Sequence, residues 1–584
     1  MIKLFPSPDG KKIEIKAPFN QKEVIKQIPG RAWNKSRKVW EVPMENIDYV
    51  FNFFPHAMEH PDLRKFAEEV RIKNKKAVDT KNQKNIKFGK IKGLKGKLYD
   101  FQKQGVAFLD TLTENEGAIL AFDMGLGKTI TSIASFLKLV GEGKQTKCMI
   151  VCPASLKYSA WKKEIVKWTK SEYIVVDGDA DENEVEYEDG KICKLRGKNL
   201  REVQYQQEVE FVILNYELFL HDIDLLPIVD ENWVVIFDEA HRIKNPRAQT
   251  TKNIIQHCEN AGKKYLLTGT PLENNLPELY SLVNFCRKGL LGTWTQFKER
   301  FIIDDYFGNP VCINYKALPE LKQTISPIIM RKRKDEVFDL PPLIEQEYWV
   351  EMTGVQKKLY EEIKEGILAI IDDGGEEDFS YLDILAQLTR IKQLLDSPAL
   401  LREVTGRDDL PVESGKLKEL PKILEDINVA ENKTIVFSQY RGMTDILHNI
   451  LTEKYGKDAV RYIHGGVKAK DRGRFQTDFQ ENDDVRIIIL TTAGNYGLDL
   501  YKASYVICYD QLFNPQKMNQ VISRAHRHGV EKTVVAINMV TKDSYEERIL
   551  EILRTKKEIF NAMIEDDDSF MQEFVSKQEL IDLL

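Results

Sequence analysis

The chain lacks the features that mark secreted, disulfide-bonded and membrane proteins. Its 584 residues contain no apolar run of the roughly 20 residues that a bilayer span requires. The first residues, MIKLFPSPDGKK, lack the apolar core of a signal peptide. The seven cysteines are scattered and form no Cys-x-x-Cys pair, which excludes a disulfide framework and a zinc site of that spacing. We therefore expect an intracellular protein of a reducing compartment, with no membrane partner.

The composition is that of ordinary globular material. Hydrophobic residues make up 42% of the chain, charged residues make up 30%, and the mean hydropathy is −0.39. A chain of this length predicts several domains. The net charge of −6 means that any surface for nucleic acid must be local rather than global.

One glycine loop stands between a predicted strand and a predicted helix. The apolar run 117–121 predicts a buried strand, and the pattern 130–140 predicts a helix. Gly125, Gly127, Lys128 and Thr129 lie between them, in the context of a phosphate-binding loop. Lys128 would reach the β- and γ-phosphates of ATP, and the Thr129 hydroxyl would hold Mg²⁺. A plain glycine turn is the alternative.

Two acidic residues directly follow a later predicted strand. The apolar residues 233–237 lead directly into Asp238 and Glu239, and further apolar runs at 148–152, 211–214 and 265–267 alternate with helical patterns. Such alternation predicts a parallel, doubly wound α/β sheet, with ligands at the carboxyl ends of its strands. Asp238 would then hold Mg²⁺ opposite the glycine loop, and Glu239 would orient or deprotonate the attacking water.

Two arginines near the end of the chain are spaced so that they would lie on the same face of a helix. Residues 520–527 predict a helix that carries Arg524 and Arg527 on one face, at i and i+3. Paired arginines can stabilise the charge on a γ-phosphate, although surface arginines in ion pairs are the alternative. Gln102, upstream of the glycine loop, has an amide that can read an adenine edge.

Together these segments resemble the Swi/Snf type of superfamily II helicase-like ATPases. The matching segments are AFDMGLGKT, VCPASL, DEAH, LTGTP, IVFSQY, TTAGNYGLDL and QVISRAHRHGV, in that order. The resemblance implies two RecA-like α/β lobes with helical insertions, ATP and Mg²⁺ between the lobes, and translocation along double-stranded DNA. Phe122 stands where the loop pattern has glycine, and Val530 stands where the last segment usually has glutamine.

The resemblance also assigns contact residues. It predicts nucleotide contacts along the glycine loop, at Met124, Gly125, Leu126, Gly127 and Ile130 in addition to the residues named above. It predicts DNA contacts at Ser155 and Thr491, and at Thr492, whose neighbouring hydroxyls and small residues suit a close approach by a phosphate backbone.

The N-terminal segment predicts a small α+β domain over residues 1–60. Trp33 and Trp40 are interleaved with basic residues that include Arg37, a composition that can grip phosphates while the rings stack on bases. Two tryptophans that form the core of a small domain are the alternative. This segment is similar to the small domain of annealing helicases, the HepA-related (HARP) branch, which acts on branched DNA. The resemblance favours a role in substrate recognition for it.

These observations define the expected organisation. A basic linker follows at 61–95, whose lysines and arginines would be solvated or would bind a nucleic-acid backbone. The first lobe and its protrusion would occupy 96–345, and a second protrusion, lobe two and a C-terminal brace would occupy 346–584.

The leading hypothesis is an ATP-dependent motor on double-stranded DNA that remodels or reanneals branched DNA such as replication forks. We expect a monomer in the nucleoid or nucleus, working beside a replication or repair protein. A motor that displaces proteins such as RNA polymerase is one rival. A DNA-binding scaffold that does not hydrolyse ATP is another.

Overall fold

A computed structural model of the chain divides it into two compact units, Met1–Arg333 and Lys334–Leu584. The structure describes residues 2–550 except 9, 11, 84–85, 88, 179–183, 187–191, 244–247, 270–275, 305–309, 314–316, 366–380, 468, 492–497, 511–514, 528 and 549. No helix within these described ranges is long and apolar enough to cross a membrane.

The first unit opens with a small mixed sheet. Its strands are β1 (Lys3–Pro6), β2 (Lys12–Lys16), β3 (Ala32–Asn34), β4 (Val39–Pro43) and β5 (Met58–Glu59). They run in the order β3-β4-β2-β1-β5, antiparallel except for the β1–β5 pair. Helices α1 (Lys22–Ile25) and α2 (Ile47–Phe53) share one apolar core with this sheet. The structure thus contains the small α+β fold that the sequence predicts.

This small domain lies directly against a later part of the same unit. The Asn46 side-chain amide donates to the Leu290 carbonyl at 3.3 Å. Gly30 has a φ of +73°, and a Cβ placed on it would lie 2.5 Å from the carbonyl oxygen of Gly289. A Cβ on Gly292 would lie 3.0 Å from the Gly30 nitrogen. The two backbones approach so closely that side chains at these glycines would prevent the contact.

The segment predicted as a basic linker at 61–95 is instead largely helical. Helix α3 (Pro61–Asn82) begins at a proline, and the His60 side chain accepts from the nitrogen of Asp62. Apolar side chains at helical spacing face the small domain's core, because Leu63 and Ala67 belong to that core and Phe66 and Val70 pack against it. The abundance of charges in this segment hid that periodicity, so the linker prediction was wrong up to residue 82.

The strands that follow in the first unit alternate with helices. They are β6 (Glu116–Phe122), β7 (Lys147–Cys152), β8 (Tyr173–Val175), β9 (Glu184–Glu186), β10 (Ile192–Lys194), β11 (Phe211–Asn215), β12 (Trp233–Asp238), β13 (Lys263–Leu267), β14 (Ile302–Asp304), β15 (Pro310–Ile313) and β16 (Ile329–Lys332). Those that form the central sheet run in the order β16-β6-β13-β12-β7-β11-β8, and every pair is parallel. Their near-continuous apolar residues are buried, as is typical of parallel sheets covered on both faces.

Helices connect these strands. They are α4 (Asp100–Asp110), α5 (Lys128–Gly141), α6 (Lys163–Trp168), α7 (Gly197–Tyr205), α8 (Tyr216–His221), α9 (Gln249–His257), α10 (Leu276–Cys286), α11 (Trp294–Phe301) and α12 (Leu318–Ile325). A π-helical turn, Lys157–Lys162, runs directly into α6. Because the sheet is parallel, the loops after β6, β7 and β12 emerge at the same edge.

The second unit contains another parallel sheet. Its strands are β17 (Leu343–Val350), β18 (Thr434–Phe437), β19 (Val460–Ile463), β20 (Ile487–Leu490), β21 (Tyr505–Cys508) and β22 (Val534–Thr541), in the order β17-β22-β21-β18-β20-β19. The sequence predicts a boundary between the two lobes at residues 345 and 346. Strand β17 crosses this boundary and pairs with β22 along its whole length. The second unit therefore begins before that position.

The helices of the second unit include long and short elements. They are α13 (Lys334–Val337), α14 (354–365), α15 (Tyr381–Asp396), α16 (Arg402–Thr405), α17 (Gly415–Asp426), α18 (Arg441–Tyr455), α19 (Ala469–Glu481) and α20 (Pro515–Ala525). The segment that would form the C-terminal brace lies mostly outside the described residues.

A cluster of charges is buried beneath the second sheet's strand ends. The Lys416 ammonium lies 3.0 Å from a carboxylate oxygen of Asp396 and 2.6 Å from one of Glu546, and all three side chains are inaccessible to solvent or nearly so. Asp510 accepts hydrogen bonds from the Ser438 hydroxyl and the Gln439 nitrogen. Lys416 thus supplies the positive charge that makes burial of these carboxylates tolerable.

Candidate nucleotide site and flanking surfaces

The glycine loop joins β6 to α5 and is shaped by its two glycines. Gly125 has a φ of +87° and Gly127 a φ of +73°, both in the left-handed region that favours glycine. A Cβ on Gly127 would lie 2.5 Å from the amide nitrogen of Gln102 and 2.9 Å from Cγ2 of Ile130. The close approach of these neighbours therefore requires glycine at this position.

Lys128 is folded back onto its own loop. Its ammonium donates to the carbonyl oxygen of Phe122 at 2.6 Å and to that of Asp123 at 3.4 Å. These carbonyls hold the cation at the mouth of the loop, where the N-terminus of α5 adds partial positive charge. In this arrangement Lys128 could exchange its carbonyl partners for phosphate oxygens, and its predicted role in binding phosphate stays a prediction.

Phe122 stands where the loop pattern has glycine, and its side chain points into the core rather than into the loop. The Phe122 ring is fully buried and packs edge to face on Phe101, with 6.2 Å between the ring centroids. A Cβ on Gly105 would lie 3.1 Å from the Phe122 ring, so that glycine in α4 makes room for it. The phenylalanine side chain therefore belongs to the core, and only its carbonyl serves the loop.

The Gln102 side chain is hydrogen-bonded to the glycine loop. Its side-chain oxygen accepts from the Tyr99 nitrogen at 3.0 Å, which caps α4, and its amide nitrogen donates to the Leu126 carbonyl at 3.3 Å. Gln102 is 6% exposed. In this structure its amide holds the glycine loop, and its predicted contact with adenine stays a prediction.

The remaining predicted nucleotide contacts surround the loop. Leu126 and Ile130 are buried, whereas Met124 and Thr129 are half-buried. A Cβ on Gly269, just after β13, would lie 3.6 Å from Cγ of Met124 and 4.0 Å from the Lys128 ammonium. The LTGTP segment thus borders the loop, although its last residues, Thr270 and Pro271, lie outside the described residues.

Asp238 ends β12, one strand away from β13 and two from β6. Its carboxylate accepts from the Trp161 indole nitrogen at 2.9 Å and from the Glu239 backbone nitrogen at 3.0 Å. The Tyr216 hydroxyl donates to its carbonyl at 2.8 Å. These donors hold the carboxylate in one orientation at the sheet edge where the glycine loop also lies.

The surroundings of Asp238 disfavour its ionised form. Burial, and then the negative charge of Glu239, raise the pKa of Asp238 to about 6, although Trp161 and Lys128 act against the shift. Glu239 has a φ of +51°, and His241 lies 3.4 Å from its carboxylate. Two buried carboxylates beside a phosphate loop fit a divalent cation such as Mg²⁺, which would favour their ionised forms.

Sequence reasoning missed Trp161 and Tyr216. Both rings are buried, and each carries one polar group that must find a partner in the interior. Trp161 lies 77 positions before Asp238, so no local pattern could pair them. A large aromatic residue shortly after a strand end was the available signal, and it does not identify its partner.

The two arginines lie in the second unit but do not share a helix. Arg524 lies in the last turn of α20, is 6% exposed and donates to the Leu498 carbonyl at 3.4 Å. Arg527 follows the end of α20 and forms an ion pair with Asp499. The expectation of two arginines on one helical face was wrong, because the helix ends at Ala525.

The predicted DNA contacts differ in accessibility. Ser155 is half-buried at the end of β7, whereas Thr491 is 3% exposed and its nitrogen donates to the Ile463 carbonyl. Thr492 lies outside the described residues. A role of these residues on DNA stays a prediction.

The aromatic hairpin of the small domain is partly open. Trp33 is 47% exposed and meets Trp40 edge to face at 5.2 Å between centroids. Trp40 is half-buried and packs against the core of the small domain. Arg37 is exposed and forms an ion pair with Glu14. Trp40 therefore serves the core, while Trp33 presents an accessible ring.

Comparison with known proteins matches segments of both units to known families. The family described as the SNF2-related domain matches residues 101–400, and the helicase conserved C-terminal domain matches residues 415–529. YwqA of Bacillus subtilis (strain 168), provisionally named an ATP-dependent helicase/translocase, is 31% identical over 84% of this chain and 51% of its own length. The ISWI chromatin-remodeling complex ATPase ISW1 of Saccharomyces cerevisiae is 28% identical over 84% of this chain and 42% of its own.

A solved structure is also similar in sequence. The Sulfolobus solfataricus SWI2/SNF2 ATPase core in complex with double-stranded DNA is 28% identical and aligns with 85% of this chain and 99% of its own, at a TM-score of 0.39. The chain spans about half the length of the curated relatives it matches, or less.

Proposed function

Because the chain belongs to the SNF2-related family of helicase-like proteins, we propose that it is a DNA-dependent ATPase that moves along double-stranded DNA. The observation that supports this most directly is that Lys128, Asp238 and Glu239 all follow strand ends at one edge of the same parallel sheet. The cofactors would be ATP and Mg²⁺. Its place of action would be inside the cell, on the DNA of the nucleoid or nucleus.

The residues of the first unit would have different roles in ATP binding and hydrolysis. Lys128 would leave the carbonyls of Phe122 and Asp123 for the β- and γ-phosphates, and the N–H groups of the glycine loop would hold the same anion. Thr129 and Asp238 would hold Mg²⁺, which when bound offsets phosphate charge. Glu239 would orient or deprotonate the attacking water.

Arg524 and Arg527 are proposed to stabilise the charge that develops on the transferring phosphoryl group. The support is their place in the QVISRAHRHGV segment. The Asp499 partner of Arg527 gives that guanidinium a holding position, from which phosphate oxygens would have to draw it.

The finer proposal is action on branched DNA, such as remodelling or reannealing at forks. It is supported by the exposed Trp33 ring, which lies on the edge strand β3 among exposed basic side chains. Aromatic rings stack on unpaired bases with little sequence preference, whereas basic side chains bind the backbone. A junction between single and double strands offers both targets.

The first experiment measures steady-state ATP hydrolysis without DNA, and with single-stranded, duplex or forked DNA. We expect duplex to stimulate the intact chain strongly and Glu239→Gln to remove turnover while DNA binding persists. Absence of stimulation by any DNA, or full turnover in Glu239→Gln, would overturn the proposed activity or the role of Glu239.

The second experiment addresses forks. Trp33→Ala should weaken the preference for forked over duplex DNA, while Met58→Ala should not. Met58 is a matched control because it is an exposed apolar residue on β5, the opposite edge strand of the same small sheet. Equal fork preference in both variants would remove the branched-DNA proposal but leave the duplex motor standing.

A further inference from the structure

A short segment joins the predicted DNA contact Ser155 to the acidic pair. The chain leaves β7 at Cys152, passes Ser155, and enters the π-helical turn Lys157–Lys162. The Ser159 hydroxyl donates to the Ser155 carbonyl at 2.5 Å, so the loop and the turn are hydrogen-bonded to each other. A displacement of this loop would therefore also move the turn.

One end of the turn holds Asp238. Trp161 is fully buried, and its indole nitrogen, which can only donate, lies 2.9 Å from Oδ2 of Asp238. The other carboxylate oxygen accepts from the Glu239 nitrogen. With one donor on each oxygen, a shift of the indole has to rotate or move the carboxylate.

The other end of the turn is fixed on the opposite side of β7. The buried Lys157 ammonium donates to the Val176 carbonyl at 2.9 Å and to the Asp177 carboxylate at 3.1 Å, just beyond β8. In the sheet order β12-β7-β11-β8, Trp161 reaches one neighbour of β7 and Lys157 reaches past the other. The turn thus spans the sheet edge and is anchored at both ends.

The π-helical geometry determines which side chain faces Asp238. A π-turn holds one residue more than an α-turn, so it rotates the residues that follow it relative to a regular helix. Such turns cost stability and occur frequently at functional sites. Here the turn ends beside Trp161, the residue whose direction matters for the acidic pair.

We propose that the Lys157–Lys162 turn couples DNA at the Ser155 loop to the ATP site, with Trp161 as the positioning residue that transmits the change to Asp238. This inference rests on the proposed function, because it names how DNA regulates that same site. DNA bound at the loop would reorient the Asp238 carboxylate through the indole, and this would raise the rate of hydrolysis.

The test compares Trp161→Phe with Trp168→Phe. Trp168 ends α6, the helix that continues the same turn, but its indole donates to Glu164 at 2.6 Å. The measured quantity is the ratio of the ATPase rate with saturating duplex to the rate without DNA. Trp161→Phe should lower this ratio by about tenfold, a typical coupling strength, while Trp168→Phe should keep it.

The outcomes separate the inference from the function on which it rests. If the unsubstituted chain is not stimulated by duplex, the proposed function fails. If the unsubstituted chain is stimulated and Trp161→Phe keeps the same ratio, the coupling role of Trp161 fails and the motor remains.

A spectroscopic readout covers the case in which Trp161→Phe does not fold. In the chain labelled with ¹⁵N at tryptophan, Asp238→Asn identifies the Trp161 indole signal as the one it displaces most. Addition of blunt duplex oligonucleotide without nucleotide should shift that same signal. An indole signal that responds to Asp238→Asn but is unchanged by saturating duplex overturns the proposal.

Discussion

The Lys73 ammonium lies 2.5 Å from a carboxylate oxygen of Glu116, which fastens helix α3 to the first residue of β6. Arg287 approaches the same carboxylate at 3.5 Å, and the Thr113 nitrogen donates to its other oxygen at 2.9 Å. Strand β6 ends at the glycine loop. A helix that the sequence presents as a charged connector is therefore bound to the strand that leads into the glycine loop.

The stability of this junction should depend on pH. Burial alone would raise the pKa of Glu116, but Arg287 and Lys73 lower it to about 2. Because the pKa is lower in the folded state, the stabilisation is present above about pH 4.5 and is lost as the pH falls toward 2. The shift corresponds to about 3 kcal/mol. Glu116→Gln should therefore lower the thermal midpoint most at pH 7, less at pH 3 and least near pH 2.

Glu68→Gln is the matched control for Glu116→Gln. Glu68 also lies beside a basic residue of α3, since it is 3.8 Å from Arg71, but its side chain is 62% exposed. An exposed pair of this kind contributes about 0–1 kcal/mol. Equal midpoints for Glu116→Gln and Glu68→Gln at pH 7 would show that the buried pair does not fasten α3.

Lys128→Ala should abolish turnover. The substitution removes the cation held at the mouth of the loop, and loss of such a group costs about a hundredfold or more in rate. DNA binding should persist. Lys138→Ala, on the same helix, removes a lysine paired with Asp110 and Glu142 and should keep turnover. Unchanged hydrolysis in Lys128→Ala would refute the assignment of the phosphate site.

Gln102→Ala should loosen the glycine loop and raise the KM for ATP. The lost hydrogen bond to Leu126 is worth about 1 kcal/mol, which predicts an increase of roughly fivefold. Gln104→Ala removes a buried amide of the same helix that donates instead to the Gln83 carbonyl at 2.6 Å. A KM that rises equally in both variants would point to damage to α4 rather than to the loop.

Lys416→Met should destabilise the second unit strongly. It leaves Asp396 and Glu546 buried without their cation, and breaking a buried ion pair costs about 3–5 kcal/mol. Lys418→Met is the control, because that side chain is 55% exposed and pairs with Glu413 at the surface. Thermal unfolding followed by fluorescence measures both. Equal midpoints would mean that the buried cluster contributes no net stability.

Local patterns in the sequence were sufficient to predict the sheets and the glycine loop between β6 and α5. The apolar runs that end at Phe122 and Phe237 are continuous and buried, and Gly127 has the positive φ that its place between a strand and a helix predicts. These features depend on neighbours along the chain, so periodicity and spacing predict them.

Features set by distant contacts were not predictable in this way. The Trp161–Asp238 hydrogen bond joins the π-helical turn after β7 to the end of β12, and the docking of Asn46 on Leu290 spans 244 positions. Helix α3 could have been found, because Leu63, Ala67 and Val70 have helical spacing among the charges.

The close contact of Gly30 with Gly289 and Gly292 has an evolutionary consequence. A Cβ on Gly30 would lie 2.5 Å from the Gly289 carbonyl oxygen, and one on Gly292 would lie 3.0 Å from the Gly30 nitrogen, while the φ angles of all three glycines lie between +73° and +83°. Loss of the small domain would remove the contact of Gly292 with Gly30, but the positive φ angles at positions 289 and 292 would still favour glycine. Relatives without the small domain should therefore still have glycine, or a residue that tolerates a positive φ such as asparagine, at positions 289 and 292.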